Sequence, residues 1–184
     1  MRKLEKSLKG TKTEEAILTA FAGECMAYMK YTFYAEQAKK DGYEQIAAYF
    51  EETARNEKAH AEIWYKLLNG GIDNTRANLL AAAKGEHEET TSMYVNFKQI
   101  AEDEGFDKVA ELFDEIGTIE GQHEERYLKL LENIDTGRVF NRPGEVRVWI
   151  CRNCGHIVVG EKPDDKCDVC EHDKGFAELR VINY

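Results

Sequence analysis

The chain has 184 residues, enough for one main core and a small appendage. Its 35 acidic and 25 basic side chains give a net charge of −10, which argues against a nucleic-acid partner because phosphate binding needs clustered Lys and Arg. No apolar run approaches the roughly 18 residues of a membrane span, and Met1-Arg2-Lys3-Leu4-Glu5 lacks the apolar core of a signal peptide, so the expectation is a cytoplasmic protein with no membrane partner.

Four helices are expected. The first begins at a cap near Thr11 or Thr13, with Glu14 and Glu15 in its first turn, and stops at Asp41-Gly42, where glycine supplies a left-handed residue. The second runs from about Tyr43 to Asn69, the third from about Thr75 to Glu104, and the fourth from Phe106 to about Ile134. Apolar residues recur at helical spacing, as in Ile46, Ala47, Phe50 and Ala54, or Val109, Leu112, Phe113 and Ile116. Cys25 on the first helix reads as a small buried apolar residue rather than a redox group.

These helices repeat. Gly23-Glu24, Gly42, Tyr49-Phe50, Glu57, His60 and Leu67-Leu68 recur as Gly85-Glu86, Gly105, Leu112-Phe113, Glu120, His123 and Leu130-Leu131. From each central glycine the spacing to the Glu, the His and the Leu pair is the same in both halves. The stretch before it is one residue longer in the second half, which a loop or a π-bulge must absorb.

Residues three apart share a helix face, so each Glu-x-x-His offers a carboxylate and an imidazole to one ion. Two such motifs plus a Glu from each of the other two helices is the ligand pattern of dinuclear bundles. Buried carboxylates neutralised by two cations would leave the surface less anionic than the composition suggests. Glu89 shares a face with Glu86, and the residues alone leave it open between a ligand and a solvated charge. Tyr31 and Tyr94 lie two turns beyond Glu24 and Glu86, where they can hydrogen-bond behind the ligands or pack as ordinary core aromatics.

Composition changes after Asp135. The expected division is a helical domain over 1–138, a linker over 139–145 and a small β-rich domain over 146–184, where Val146, Val148 and Ile150 alternate and Phe176, Glu178, Leu179 and Val181 close the chain. So few residues need a staple. Cys151-Arg152-Asn153-Cys154 and Cys167-Asp168-Val169-Cys170 supply it as a tetrahedral four-thiolate site, and in a reducing compartment these spacings favour metal over disulfides. The spacing leaves zinc and a single iron open. His156 and His172 are expected to face solvent, since four thiolates complete the site.

With both metal signatures in this order, the whole chain resembles the rubrerythrins, ferritin-like four-helix bundles with a C-terminal rubredoxin-like domain. The resemblance implies a mainly α fold, a non-haem di-iron centre that reduces hydrogen peroxide to water, and one iron on the four cysteines that delivers electrons to it. It implies that Glu24, Glu57, Glu86, Glu89, Glu120 and His123 are di-iron ligands. His60 would be a redox-switching ligand that exchanges with Glu89, and Tyr31 and Tyr94 would lie near the cluster. It also implies an external electron donor, a rubredoxin or an NAD(P)H-dependent reductase. The short linker suggests a homodimer in which one chain's tail serves its partner's bundle.

Three features depart from the family pattern. The connection from Asn69 to Thr75 is short, Thr90 stands where a Trp is common, and the second knuckle carries Asp168 and Glu171 where Pro and Gly are usual. A residue after the last cysteine often needs φ > 0, which costs a glutamate on the order of 1 kcal/mol. Two competing readings are a ferroxidase that mineralises iron, disfavoured by a tethered electron donor, and a zinc-ribbon adaptor, disfavoured by inward carboxylates that are costly to bury without metal.

Overall fold

The computed structural model describes residues 6–183, so the N-terminal pentapeptide weighed above for a signal lies outside the described residues. Among the described residues no helix is long and apolar enough to cross a membrane. The chain is mainly helical with a small antiparallel sheet near its C-terminus, the class the sequence implies. Two compact units meet at the Asp73–Asn74 junction, and the expected 139–145 linker lies inside the second of them.

The first unit is a helical hairpin. Helix α1 (Lys12–Lys40) starts where Thr11, in extended conformation, accepts a hydrogen bond from the Glu14 N–H at 3.1 Å. It stops because Gly42 takes φ 82°, letting the Tyr43 N–H reach back to the Ala38 carbonyl at 2.8 Å. Helix α2 (Glu44–Asn69) ends at left-handed Gly70. Alanines make the seam: Ala35, Ala38, Ala47, Ala54 and Ala61 are buried, so the helices approach closely. Leu18, Met26, Phe33, Tyr49 and Ile63 stay exposed, and the hairpin carries an apolar stripe that its own packing does not cover.

The second unit opens with a similar hairpin. Helix α3 (Thr75–Glu88) is capped by Asn74, whose Oδ1 accepts from the Ala77 N–H at 3.1 Å. It runs into a π-helical turn (Glu89–Met93), then α4 (Tyr94–Asp103). The turn repeats the first stop residue for residue, with Gly105 at φ 78° and Phe106 N–H on the Ala101 carbonyl at 2.8 Å, before α5 (Asp107–Asp135). The extra residue of the second half is therefore housed in the π-turn, not in a loop. Arg76 grips Asp135 with both guanidinium arms, at 2.6 and 2.8 Å, tying the start of α3 to the end of α5.

After α5 the segment 139–145 is held rather than loose: Arg142 donates to Asn133 at 3.1 Å and its N–H to the Glu161 carbonyl at 2.7 Å, while Arg138 pairs with Glu145. Strand β1 (Arg147–Cys151) lies between β2 (Ile157–Gly160) and β3 (Ala177–Leu179), antiparallel to both. β2 was not among the expected strands, although Ile157-Val158-Val159 is a β-branched run. The buried face of β1 carries Trp149 and Cys151, and the alternating Val148 and Ile150 take the other phase. Trp149, 1% exposed, donates its indole N–H to the Gly160 carbonyl at 3.0 Å and is the largest fully buried side chain among the described residues.

Candidate metal centres

Each helical unit gathers the same three donors. In the first, Glu24 comes from α1, Glu57 and His60 from α2, and their ligating atoms lie within 4.8 Å of one another. His60 Nδ1 is 3.0 Å from Glu57 Oε2 and 3.7 Å from Glu24 Oε2. In the second, Glu86 comes from α3, Glu120 and His123 from α5, again within 4.8 Å. His123 Nδ1 is 2.7 Å from Glu120 Oε2 and 3.7 Å from Glu86 Oε2. The i,i+3 spacing does this in both halves by stacking carboxylate and imidazole one turn apart.

The second set is drawn together more tightly. His60 is 52% exposed and His123 36%. Glu86 is pushed above the ordinary carboxylate range, first by burial, then by its hydrogen bond and charge repulsion with Glu120, with Glu89 adding to the repulsion. A carboxylate crowded by a second one in this way is a site in want of a cation, and divalent iron fits the mixed carboxylate and imidazole set.

Glu89, left open by its spacing, is half-buried as the first residue of the π-turn, and its charge bears on both Glu86 and Tyr94. It lies outside the tight Glu86, Glu120 and His123 group. Burial, then the charges of Glu120 and Glu89, raise the Tyr94 hydroxyl above its ordinary range. Tyr31 and Tyr94 make matching aromatic contacts one repeat apart, Tyr31 on Phe50 at 6.2 Å and Tyr94 on Phe113 at 6.0 Å between ring centroids. Cys25 is half-buried rather than buried.

In the tail all four sulfurs lie within 4.8 Å of one another, with Cys151 to Cys170 at 3.7 Å and Cys154 to Cys167 at 3.6 Å. A tetrahedron with metal–sulfur bonds of about 2.3 Å has edges of about 3.8 Å, so the cage fits one four-thiolate ion. The two knuckles are copies: Gly155 and Glu171 each give an N–H to the first cysteine's carbonyl at 2.8 Å, and Cys151 and Cys167 each give theirs to the His156 and His172 carbonyls at 2.9 Å. The backbone N–H of His156 draws the Cys154 thiol down, but desolvation and hydrogen bonds with the other three thiols outweigh it and push the group up to about 12. On the other knuckle, led by the His172 backbone N–H, the balance brings Cys170 down to about 5. The opposite directions at Cys154 and Cys170 come from thiols crowded together without the positive charge a metal would supply.

Glu171 sits at φ 61°, the left-handed position where glycine was anticipated. His172 corrects the reading of a solvent-facing ring. It is half-buried, edge-on to Phe176 with centroids 4.3 Å apart, and its Nδ1 lies 3.2 Å from the Cys170 carbonyl, so packing space beside the knuckle decided its place.

With both sets of donors described, the comparisons with known proteins can be placed beside them. The rubrerythrin family pattern matches residues 15–131, and that of the rubrerythrin rubredoxin-like domain matches residues 149–176. The chain belongs to the rubrerythrin family. It is 45% identical to a rubrerythrin of Porphyromonas gingivalis, covering 98% of this chain and 96% of that one. It is 44% identical to a rubrerythrin of Nitratidesulfovibrio vulgaris, covering 97% and 100%. A solved structure of fully reduced, all-ferrous nigerythrin is 32% identical over 96% of this chain and 89% of that one, with a TM-score of 0.36. As a family member the chain is an oxidoreductase with Glu/His di-iron-type sites in its helices and a four-cysteine metal site in its tail.

Proposed function

We propose that the chain is a non-haem di-iron peroxidase that reduces hydrogen peroxide to water, with electrons entering through one iron on the four cysteines. The observation that carries this is the doubled Glu, Glu, His set in a chain that also holds a four-thiolate cage. When bound, a pair of ferrous ions would supply two electrons together, and H2O2 with two electrons and two protons gives two water molecules.

The residues divide the work. Glu24, Glu57 and His60 would hold one ion, and Glu86, Glu120 and His123 would hold the other. Glu57 and Glu120 each lie within hydrogen-bond reach of the histidine one turn on and would help to hold its ring in place. Glu89 would offer an anionic ligand to ferric iron in place of neutral His60, because a harder ion prefers carboxylate oxygen and an added negative charge would balance the added positive one. His60 is the more exposed of the two histidines, as a ligand that must leave should be. Tyr94, which feels the charges of Glu120 and Glu89, would orient and protonate a small oxygen-rich substrate there, with Tyr31 as its counterpart in the other half.

In the tail, tetrahedral thiolate holds both oxidation states of iron with little rearrangement. The segment 139–145 is short and pinned to Asn133, which supports a homodimer in which each tail serves the partner's helices. The apolar stripes left on α1 and α2 support a second copy as well. A rubredoxin or an NAD(P)H-dependent reductase is the proposed external donor, in the cytoplasm.

The deciding test is turnover of peroxide against dioxygen by the reduced, iron-loaded protein. Fast oxidation by peroxide with slow oxidation by dioxygen is expected. Faster reaction with dioxygen and mineral formation would make the protein a ferroxidase. A colourless tail that takes only zinc in iron-rich growth would remove the electron path.

A further inference from the structure

The two hairpins differ by one residue, and the structure shows what that residue requires. The second half spends it on the π-turn Glu89–Met93, and Glu89 begins that turn. A π-turn widens the helix and disturbs its hydrogen-bond ladder, so it persists only where neighbours hold it. Two hydrogen bonds and the close approach allowed by two glycines do so here. Thr90 donates its hydroxyl to the Gly117 carbonyl of α5 at 2.6 Å, in a half-buried position. A Cβ on Gly117 would come 3.1 Å from the Tyr94 Cβ, and one on Gly121 would come 3.4 Å from the Thr90 hydroxyl. Thr91 donates to the His87 carbonyl at 2.6 Å, giving a partner to an acceptor within the disturbed ladder.

The other half is a built-in control. The positions of α2 that correspond to Gly117 and Gly121 are Ala54 and Lys58, and α1 runs through its full length without a π-turn. Bay and bulge occur together and are absent together. The glycines lie on α5 in the turns that lead to Glu120 and His123. The Thr90 hydroxyl therefore ties the start of the bulge to the helix that carries those two donors.

We propose that Thr90 is a positioning residue: its clasp on the Gly117 carbonyl, in the bay made by Gly117 and Gly121, fixes the π-turn and sets the reach of Glu89 toward the metal donors. This rests on the reading of Glu89 as a ligand of the ferric state. The clasp needs a short hydroxyl at 90, so it belongs to this chain's departure from the Trp common there.

The test compares Thr90→Val, which keeps the shape and loses the donor, with Thr90→Ser, which keeps the donor. Two quantities are read in the full-length protein: the midpoint potential of the dinuclear iron, followed by its visible spectrum, and amide hydrogen exchange across 89–93 in the metal-free form. Thr90→Val should move the potential to more positive values, since a misplaced carboxylate supports ferric iron less well. It should also speed exchange in the π-turn about 5–10-fold, the effect of one lost hydrogen bond. Thr90→Ser should restore both. Wild-type potential and exchange in Thr90→Val would overturn the proposal, as would equal shifts in the Val and Ser variants. A Glu89→Gln variant with wild-type potential would instead overturn the ligand reading of Glu89, and the exchange rates would then judge the clasp alone.

Discussion

The first hairpin and the second carry the same donors at the same spacing, yet they hold them differently. His60 and His123 each sit 3.7 Å from the glutamate of the neighbouring helix. Their own i,i+3 glutamates stand 3.0 Å away in the first half and 2.7 Å in the second. The first hairpin leaves its histidine half in solvent and has nothing like Glu89, whereas the second adds a π-turn, a carboxylate and a glycine bay. A doubled unit gives two similar metal positions. One inserted residue makes the two donor sets inequivalent, as the proposed exchange of His60 for Glu89 requires.

The largest expected effect tests what the two halves share. Glu57→Ala and Glu120→Ala each remove a carboxylate from a donor set and the brace from a histidine. Loss of a supporting group alone typically costs about 10–100-fold in metal affinity, so loss of a ligand should exceed that and abolish peroxide turnover. Iron content per chain and turnover, measured on the same samples, check it. Full iron occupancy in either variant would strike that residue from the ligand set.

Next comes the difference. His60→Ala should keep two irons in the oxidised protein, where Glu89 takes over, but react slowly with peroxide after reduction. His123→Ala has no such substitute and should lose an iron in both states. Structures of both variants, oxidised and reduced, would show it. Identical behaviour of the two would mean that the halves are equivalent after all.

How much of this was legible beforehand follows from how local each signal is. The helix ends were readable because Thr11, Gly42 and Gly105 act on their own turns. The donors were readable because i,i+3 spacing and a doubled motif are properties of the chain, and the four cysteines likewise. The count of residues between Gly85 and Gly105 demanded a loop or a π-bulge without deciding between them or placing it. Its place depends on Gly117 and Gly121, which are distant in sequence and meaningful only once α5 lies alongside. The same holds for the Thr90 hydroxyl, whose acceptor is 27 residues away. His172 was misread because nothing near it in the chain announces that Phe176 will fold back over its ring. β2 was missed because a four-residue strand bordered by a knuckle shows little periodicity.

The two cysteine knuckles allow the same kind of comparison on a smaller scale. Gly155 at φ 79° and Glu171 at φ 61° make the same hydrogen bond at 2.8 Å, but only the glycine does so without steric cost. Glu171→Gly should therefore stabilise the tail by about 1 kcal/mol, and Gly155→Ala should destabilise it by a similar amount. Denaturant titration followed by the colour of the iron-loaded tail measures both. A wild-type tail as stable as the Glu171→Gly variant would show that the glutamate side chain makes a compensating contact.

The smallest expected effect concerns a clamp on the second hairpin, at positions where the first has Glu14 and Ile72 and can form no such pair. The hydrogen bond from Arg76, with its charge, holds the Asp135 carboxyl below its ordinary range. A carboxylate whose pKa is depressed by folding stabilises the fold above the unfolded-state value, near 3.8, and that contribution is lost as pH falls through the depressed folded value. The pair is exposed, so salt should screen much of it. Arg76→Gln should then melt slightly below the wild type at neutral pH and low ionic strength. The two melting temperatures should converge as the pH drops below about 4 or as salt approaches about 1 M. A difference that persists at low pH would mean that Arg76 acts through its aliphatic stem against α5, and the clamp would then be packing rather than charge.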